Sequence, residues 1–246
     1  MKYGICNLSV IPLRSEANNM ATQQSQLLYG ELFKILEQRK FFSKIRCLFD
    51  DYEGWISNLH FKELSQEQFY ELKELKPSYN YDLAHYVHNK NNSLLPVVIG
   101  SDLSMAPFLN HQCEASIIPN QHSVVSAAMM YLNATELVGG KTPFGIDSSG
   151  LSQMAYKLNG IALKRTPQEQ STQGEALSFI EEAKAGDLVF FDNKDGVIDH
   201  VGILLENNYI IHAFGSVRID RIDHTGIFNI DTNTYTHSVR VIKSIQ

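Results

Sequence analysis

A serine at a helix start and two histidines further along are the residues whose types and spacing permit chemistry. Gly139-Gly140-Lys141-Thr142-Pro143-Phe144-Gly145-Ile146-Asp147-Ser148-Ser149-Gly150 is a glycine- and proline-rich loop running into Leu151, Met154, Ala155 and Leu158 at helical spacing. Asp147 is the natural N-cap. Ser148 therefore falls in the first turn, where unpaired N–H groups and the positive end of the helix dipole favour developing negative charge. Downstream, Asp199-His200-Val201-Gly202-Ile203-Leu204-Leu205 and Tyr209-Ile210-Ile211-His212-Ala213 are apolar runs flanking Glu206-Asn207-Asn208, the pattern of a β-hairpin. A two-residue Asn-Asn loop puts the histidines on opposite faces. A three-residue loop of 206–208 instead pairs Gly202 with His212 and leaves His200 as its diagonal neighbour on the same face. In that register one imidazole orients the other, and a hydroxyl, a base and an orienting group make a nucleophilic arrangement. A lone first-turn serine is ordinarily only a cap, and histidines also sit inertly in apolar hairpins. The residues alone leave both readings open.

At these residues the chain resembles the NlpC family of papain-like cell-wall peptidases, whose pattern is Gly-x-Asp-Cys-Ser-Gly at a helix start followed by His-Val-Gly and Ile-His-Ala. The resemblance covers the C-terminal half. It implies catalytic positions at Ser148, His200 and His212, with serine where the family has its cysteine. The family's Tyr-x-Trp-Gly-Gly, whose phenol assists the oxyanion, is here Glu136-Leu137-Val138-Gly139-Gly140. Its Arg-Asp-Ser-x-x-Gln, whose acid is linked with the substrate amine, is Arg165-Thr166-Pro167-Gln168-Glu169-Gln170. On the same resemblance Glu31, Tyr52, Glu136, Asp147, Ser149, Arg165 and Thr166 are the substrate-binding positions, and neither metal nor organic cofactor is implied.

Several partner classes are disfavoured by composition. The 246 residues are 43% hydrophobic and 20% charged, enough for a globular chain with a sizeable core. A net charge of −6 and scattered Lys and Arg argue against nucleic acid or an anionic membrane as the main partner. Cys6, Cys47 and Cys113 are odd in number and lack metal-type spacing, which suits a reducing compartment. The start, Met1 to Val10, reads as a strand rather than a signal peptide, and no stretch has the length of a membrane span. A cytoplasmic location is the expectation.

The elements that must position the site follow. In the first sixty residues short β-like runs alternate with turns: Tyr3 to Pro12, Gln26 to Leu28, Glu31 to Leu36, Ser43 to Phe49 and Gly54 to Ile56. The stretches around Leu13, Tyr29-Gly30-Glu31 and Tyr52-Glu53-Gly54-Trp55 are similar to a bacterial SH3-like domain. Trp55, the single tryptophan, is either barrel core or a ligand platform. Ser65 to Leu75 is an amphipathic helix capped by Ser65 over Gln68, with Phe69, Leu72 and Leu75 on one side. Leu94 to Ile99 is a strand candidate after the polar loop Asn89 to Ser93, within a weaker stretch that runs to Ile118. Ser123 to Asn133 is expected to be helical, Thr135 to Phe144 a loop, Ala176 to Glu182 a short helix and Gly186 to Asp192 a strand.

The expected fold is α+β, with an SH3-like barrel over 1–60, a spacer helix and partial second unit over 61–120, and a papain-like domain over 121–246 in which a helix packs on an antiparallel sheet. The expected function is that of a hydrolase scaffold for γ-D-glutamyl-L-diamino-acid peptides. Its turnover is lost or impaired, and it binds a cell-wall peptide or a protein. The alternatives are a working serine-nucleophile amidase and a structural interaction protein.

Overall fold

The computed structural model describes residues 2–113 and 123–245. The chain divides into two compact units, Met1–Asn120 with Val138–Thr142 and Gln121–Leu137 with Pro143–Gln246.

The first unit rests on seven strands, β1 (Lys2–Ile5), β2 (Val10–Arg14), β3 (Gln23–Leu28), β4 (Leu32–Gln38), β5 (Phe42–Cys47), β6 (Glu53–Ser57) and β7 (Lys62–Leu64). They form one sheet in the order β3-β2-β6-β5-β4-β1-β7. Burial alternates along β2 and β5, as half-buried strands require, and Ile11, Leu13, Leu27, Phe33, Ile45 and Ile56 meet in one core. The run expected from Tyr3 to Pro12 is two strands. The chain leaves the sheet after Ile5 and re-enters at Val10, so β1 lies beside β4 and β7 while β2 lies beside β3 and β6. Trp55 is buried outside that core cluster, with the Arg39 guanidinium 4.3 Å from its ring centroid.

Helix α1 (Gln66–Lys73) starts on the expected capping box between Ser65 and Gln68. It buries Phe69 and Leu72, and Phe69 stacks on Tyr3 with ring centroids 4.1 Å apart. Leu75 lies past the helix end and is exposed, so the apolar stripe is one residue shorter than its spacing suggests. β8 (Ala84–Asn89), β9 (Leu94–Val98) and β10 (His111–Gln112) make a three-stranded sheet, β8 and β9 joined through the polar loop. The part of the weaker stretch from Glu114 to Ile118 lies outside the described residues. β11 (Lys141–Thr142) completes this unit.

The second unit holds α2 (Val124–Met129), β12 (Gly145–Ile146), α3 (Ser148–Lys157), α4 (Pro167–Gln170) and β13 (Glu175–Leu177). β14 (Leu188–Asp192), β15 (Ile198–Leu204), β16 (Tyr209–Phe214), β17 (Ser216–Ile222), β18 (Gly226–Asn229) and β19 (Thr234–Ser244) follow. The helix expected over Ser123 to Asn133 is shorter: Ser123 is its N-cap, α2 stops at Met129, and Asn133 is left-handed at φ 69°. The short helix expected over Ala176 to Glu182 is a correction. Glu175–Leu177 pairs with β19 as an edge strand, and only Ile180–Glu182 forms a turn of 3-10 helix. No helix among the described residues is long and apolar enough to cross a membrane.

The main sheet runs β13-β19-β14-β15-β16-β17-β18, with β18 also paired to β19. β19 is eleven residues long, and this length lets it serve three neighbours, β13, β14 and β18. Its start pairs with β18 and its later part with β14, which curls the far edge of the sheet back. α3 packs on β15 and β16 through Leu151, Met154, Ala155 and Leu158, all buried, so the antiparallel sheet with a central helix matches the α+β reading. Gly226 permits the β18–β19 contact: a Cβ there falls 1.9 Å from the His237 carbonyl oxygen. Gly226→Ala is expected to destabilise the chain by about 1–3 kcal/mol, the usual cost of overpacking. An unchanged urea midpoint would contradict this account of the closure.

Candidate active site

The hairpin adopts the three-residue loop. Asn207 and Asn208 take left-handed φ values of 59° and 61°, which asparagine tolerates better than most residues, and the Leu205 N–H donates to the Tyr209 carbonyl at 2.8 Å. Gly202 then pairs with His212, Ile203 with Ile211 and Leu204 with Ile210. The pairing places His200 diagonally beside His212, and His200 Nε2 lies 2.9 Å from His212 Nδ1. Gly202 is needed opposite the second histidine, because a Cβ there meets Ile210 Cδ1 at 2.5 Å and His212 Cβ at 3.2 Å.

The same diagonal step repeats once more across the sheet. His212 pairs with Arg218, which sets Asp220, two residues on, beside it on the same face. His212 Nε2 lies 3.1 Å from Asp220 Oδ2. Arg218 grips both carboxylate oxygens, Nε to Oδ2 at 2.6 Å and a terminal nitrogen to Oδ1 at 3.0 Å, and also reaches Asp231 at 2.7 Å. Burial alone would raise the Asp220 pKa. Hydrogen bonds from His212 and Arg218 and the guanidinium charge outweigh it, and the carboxyl stays ionised well below the usual range. An ionised carboxylate only accepts, so His212 carries its proton on Nε2. With its proton on Nε2, His212 offers Nδ1 as an acceptor, His200 Nε2 is its donor, and His200 Nδ1 keeps a lone pair suited to a base.

A third imidazole completes the cluster. His237, on the segment of β19 that β18 holds, stacks on His200 with ring centroids 4.1 Å apart. Its Nδ1 contacts Thr236 Oγ1 at 2.9 Å. Burial first, then the charges of His237 and His212, pushes the His200 pKa well below the ordinary imidazole value. Burial also lowers that of His237, to about 4. These two rings are neutral near neutral pH.

Ser148 opens α3 as expected. The cap Asp147 accepts from the Gly150 N–H at 2.7 Å. Arg165 clamps Asp147 with contacts of 3.1 and 2.7 Å and donates to Ser149 Oγ at 2.8 Å, while itself nearly inaccessible. Asp147, Ser149 and Arg165 thus form one polar lock under the start of the helix. Gln170 adds to it through Ser152 Oγ and the Ser149 carbonyl, at 2.7 and 2.9 Å. Ser148 is buried, and among the described residues no hydrogen bond joins it to His200. Catalytic hydrogen bonds commonly tighten only when substrate is bound.

The remaining expected positions have local partners. Glu136 accepts from the Gly215 N–H at 2.6 Å, which ties its carboxylate to the turn between β16 and β17. The Thr166 hydroxyl caps α4, accepting from the Glu169 N–H at 3.2 Å and donating to the Glu169 carboxylate at 2.7 Å. Glu31 and Tyr52 belong to the first unit. Glu31 is buried, accepts from the Leu28 N–H at 2.9 Å and lies 3.5 Å from Lys141 Nζ, whereas Tyr52 packs against the barrel core. Sequence reasoning missed Asp220, Arg218 and His237. The first two left one signal, opposite charges two residues apart, Arg218 and Asp220, alternating with Val217, Ile219 and Ile222.

Two outcomes follow from these contacts. Asp220→Ala leaves Arg218 and His212 without their buried partner and is expected to cost about 3 kcal/mol in urea unfolding. A loss under about 1 kcal/mol would contradict a structural role for that carboxylate. The second concerns pH. The unfolded chain protonates His237 near 6.5 and the folded chain only near about 4, so between these values the unfolded state holds more protons. Stability is complete above the upper value and falls as pH drops through the window. A urea midpoint that stays constant across it would contradict the neutral cluster.

Residues 137–238 match the NlpC/P60 family, and residues 13–60 match the bacterial dipeptidyl-peptidase SH3 domain. The chain is 30% identical over 92 residues to a gamma-D-glutamyl-L-lysine dipeptidyl-peptidase of Bacillus subtilis, 37% of this chain and 31% of that protein. It is 31% identical over 140 residues to the bifunctional muramidase/DL-endopeptidase CwlT of the same organism, 56% of this chain and 37% of that protein. The matched stretches thus span roughly a third of these relatives' lengths. A solved NlpC/P60 family protein from Bacillus cereus superposes with a TM-score of 0.78 at 15% identity, covering 98% of this chain and 99% of that one, a likeness of fold. The chain carries an NlpC/P60 domain together with a bacterial SH3 domain, on an α+β scaffold.

Proposed function

We propose that this chain binds γ-D-glutamyl-L-diamino-acid peptides and that its hydrolytic step is strongly impaired. The observation that carries the reading is that Ser148, at the start of α3 where the resemblance puts the nucleophile, offers a hydroxyl in place of the family's thiol. A serine hydroxyl ionises far less readily than a thiol, so it needs a base in contact during attack, whereas a thiol can ionise beforehand. The surroundings support the same reading. Glu136 brings a carboxylate where the resemblance implies a phenol donor, and Thr166 puts a capping hydroxyl where it implies an acid. The relatives' names point to peptides with a γ-D-glutamyl bond, and for this chain Glu31 and Tyr52 are proposed as further peptide contacts.

One observation favours a second reading, a working serine amidase: the chain Asp220–His212–His200 is unbroken and leaves a basic nitrogen on His200. Incubating the protein with L-Ala-γ-D-Glu-diaminopimelate while following both peptide binding and release of the diamino acid separates the two. Saturable binding with no release above the spontaneous rate is expected. Turnover abolished by Ser148→Ala would establish the second reading.

Restoring the thiol tests whether the impairment lies in one atom. Ser148→Cys alone is expected to remain at least about a hundred-fold slower than Ser148→Cys combined with Glu136→Tyr and Thr166→Asp, since loss of one oxyanion donor alone typically costs about a hundred- to a thousand-fold. Equal rates for the single and triple variants would place the whole defect in the nucleophile.

A further inference from the structure

We propose that His200, His212 and His237 form a binding site for Zn2+, with three imidazoles as ligands and a fourth position open. A ring nitrogen from each histidine lies within 4.8 Å of the others. The neighbours of each ring select the atoms that converge. His212 Nε2 is held by Asp220, which leaves Nδ1 facing the cluster; His237 Nδ1 is held at Thr236, which leaves Nε2; His200 already presents Nε2 to His212. Tetrahedral zinc with bonds of about 2.0–2.1 Å needs its nitrogens about 3.3 Å apart. The His200–His212 pair at 2.9 Å must open slightly and His237 must draw in, motions within reach of side-chain torsions.

The surroundings suit the metal. Asp220 on the far nitrogen of His212 is the carboxylate–histidine arrangement that orients metal-bound imidazoles and raises their basicity. Phe191 and Phe214 flank the rings, with Phe214 5.0 Å from His237 and Phe191 5.8 Å from His200 between centroids, giving a partly apolar wall. Neutral imidazole is a donor for borderline cations such as zinc, and three of them with an open position make a familiar zinc donor set. The third ligand comes from β19, a strand outside the hairpin, and no resemblance or comparison gives His237 a role.

Zinc binding and base use by His200 exclude each other. In the metal-free cluster the His200 proton sits on Nε2 and the lone pair on Nδ1. Zinc at Nε2 requires that proton to move to Nδ1, with no net release from the ring, and Nδ1 can then no longer accept a proton. The site is independent of whether Ser148 hydrolyses anything.

The test titrates the full, chelator-treated chain with Zn2+ by calorimetry and with Co2+ by visible absorption. Expected are one equivalent bound, a d–d spectrum of low-coordinate Co2+, and at least a hundred-fold weaker binding in His237→Ala, with the exposed His224→Ala unchanged. Asp220→Asn should weaken binding about ten- to a hundred-fold. His237→Gln, and the imidazole nitrogen signals of the unmodified chain on adding Zn2+, keep the test valid should His237→Ala misfold. Perturbation confined to His200, His212 and His237 supports the site. Failure to bind one equivalent, affinity equal in the His237 variants, or perturbation of other histidines instead overturns it.

Discussion

The site depends on a buried carboxylate. Asp220 lies fully inside the sheet, and a charge there persists only because Arg218 and His212 meet it with hydrogen bonds. That requirement determines much of the chemistry beyond it. An ionised Asp220 fixes the His212 proton on Nε2, and His212 in turn orients His200. One electrostatic constraint thereby sets the hydrogen-bond polarity of a chain crossing three strands.

The architecture supplies register and closure. The relay exists because the β15–β16 and β16–β17 pairings each offset their polar residues by two positions, which keeps His200, His212 and Asp220 on one face. A one-residue slip in either pairing sends a member to the opposite face. β19 adds His237 by folding back against β18, a step that works because position 226 has no side chain. Beneath the helix start, the buried Arg165 holds the half-buried Asp147 cap, so the first turn of α3 is anchored by an ion pair in addition to its backbone bonds. The start of the helix that carries Ser148 is therefore held in place from below.

Much of this was legible in the sequence. The helix start at Asp147-Ser148, the capping box at Ser65 and the hairpin's two alternative registers followed from local rules about caps, turns and period-two alternation. The choice between registers was not readable, because it turns on two asparagines both adopting left-handed φ. His237 and Asp220 were missed for a different reason. Their roles arise from long-range pairing, β19 with β18 and β17 with β16, and the charges of Arg218 and Asp220, the one local signal, do not say which strand they face. The short helix expected near Ala176 failed similarly, since pairing with the end of β19 outweighed local propensity. The family resemblance supplied candidate positions; the hydrogen-bond chain shows what holds His200 and His212.

Imidazole nitrogen chemical shifts of the 15N-histidine-labelled, metal-free protein at neutral pH measure that chain directly, because protonated and bare ring nitrogens resonate far apart. The account requires His212 and His200 both to carry their single proton on Nε2, with His200 Nδ1 bare. A proton on His200 Nδ1, or a doubly protonated His212, would reverse the direction of the relay and contradict the assignment of His200 as a base ordered by Asp220.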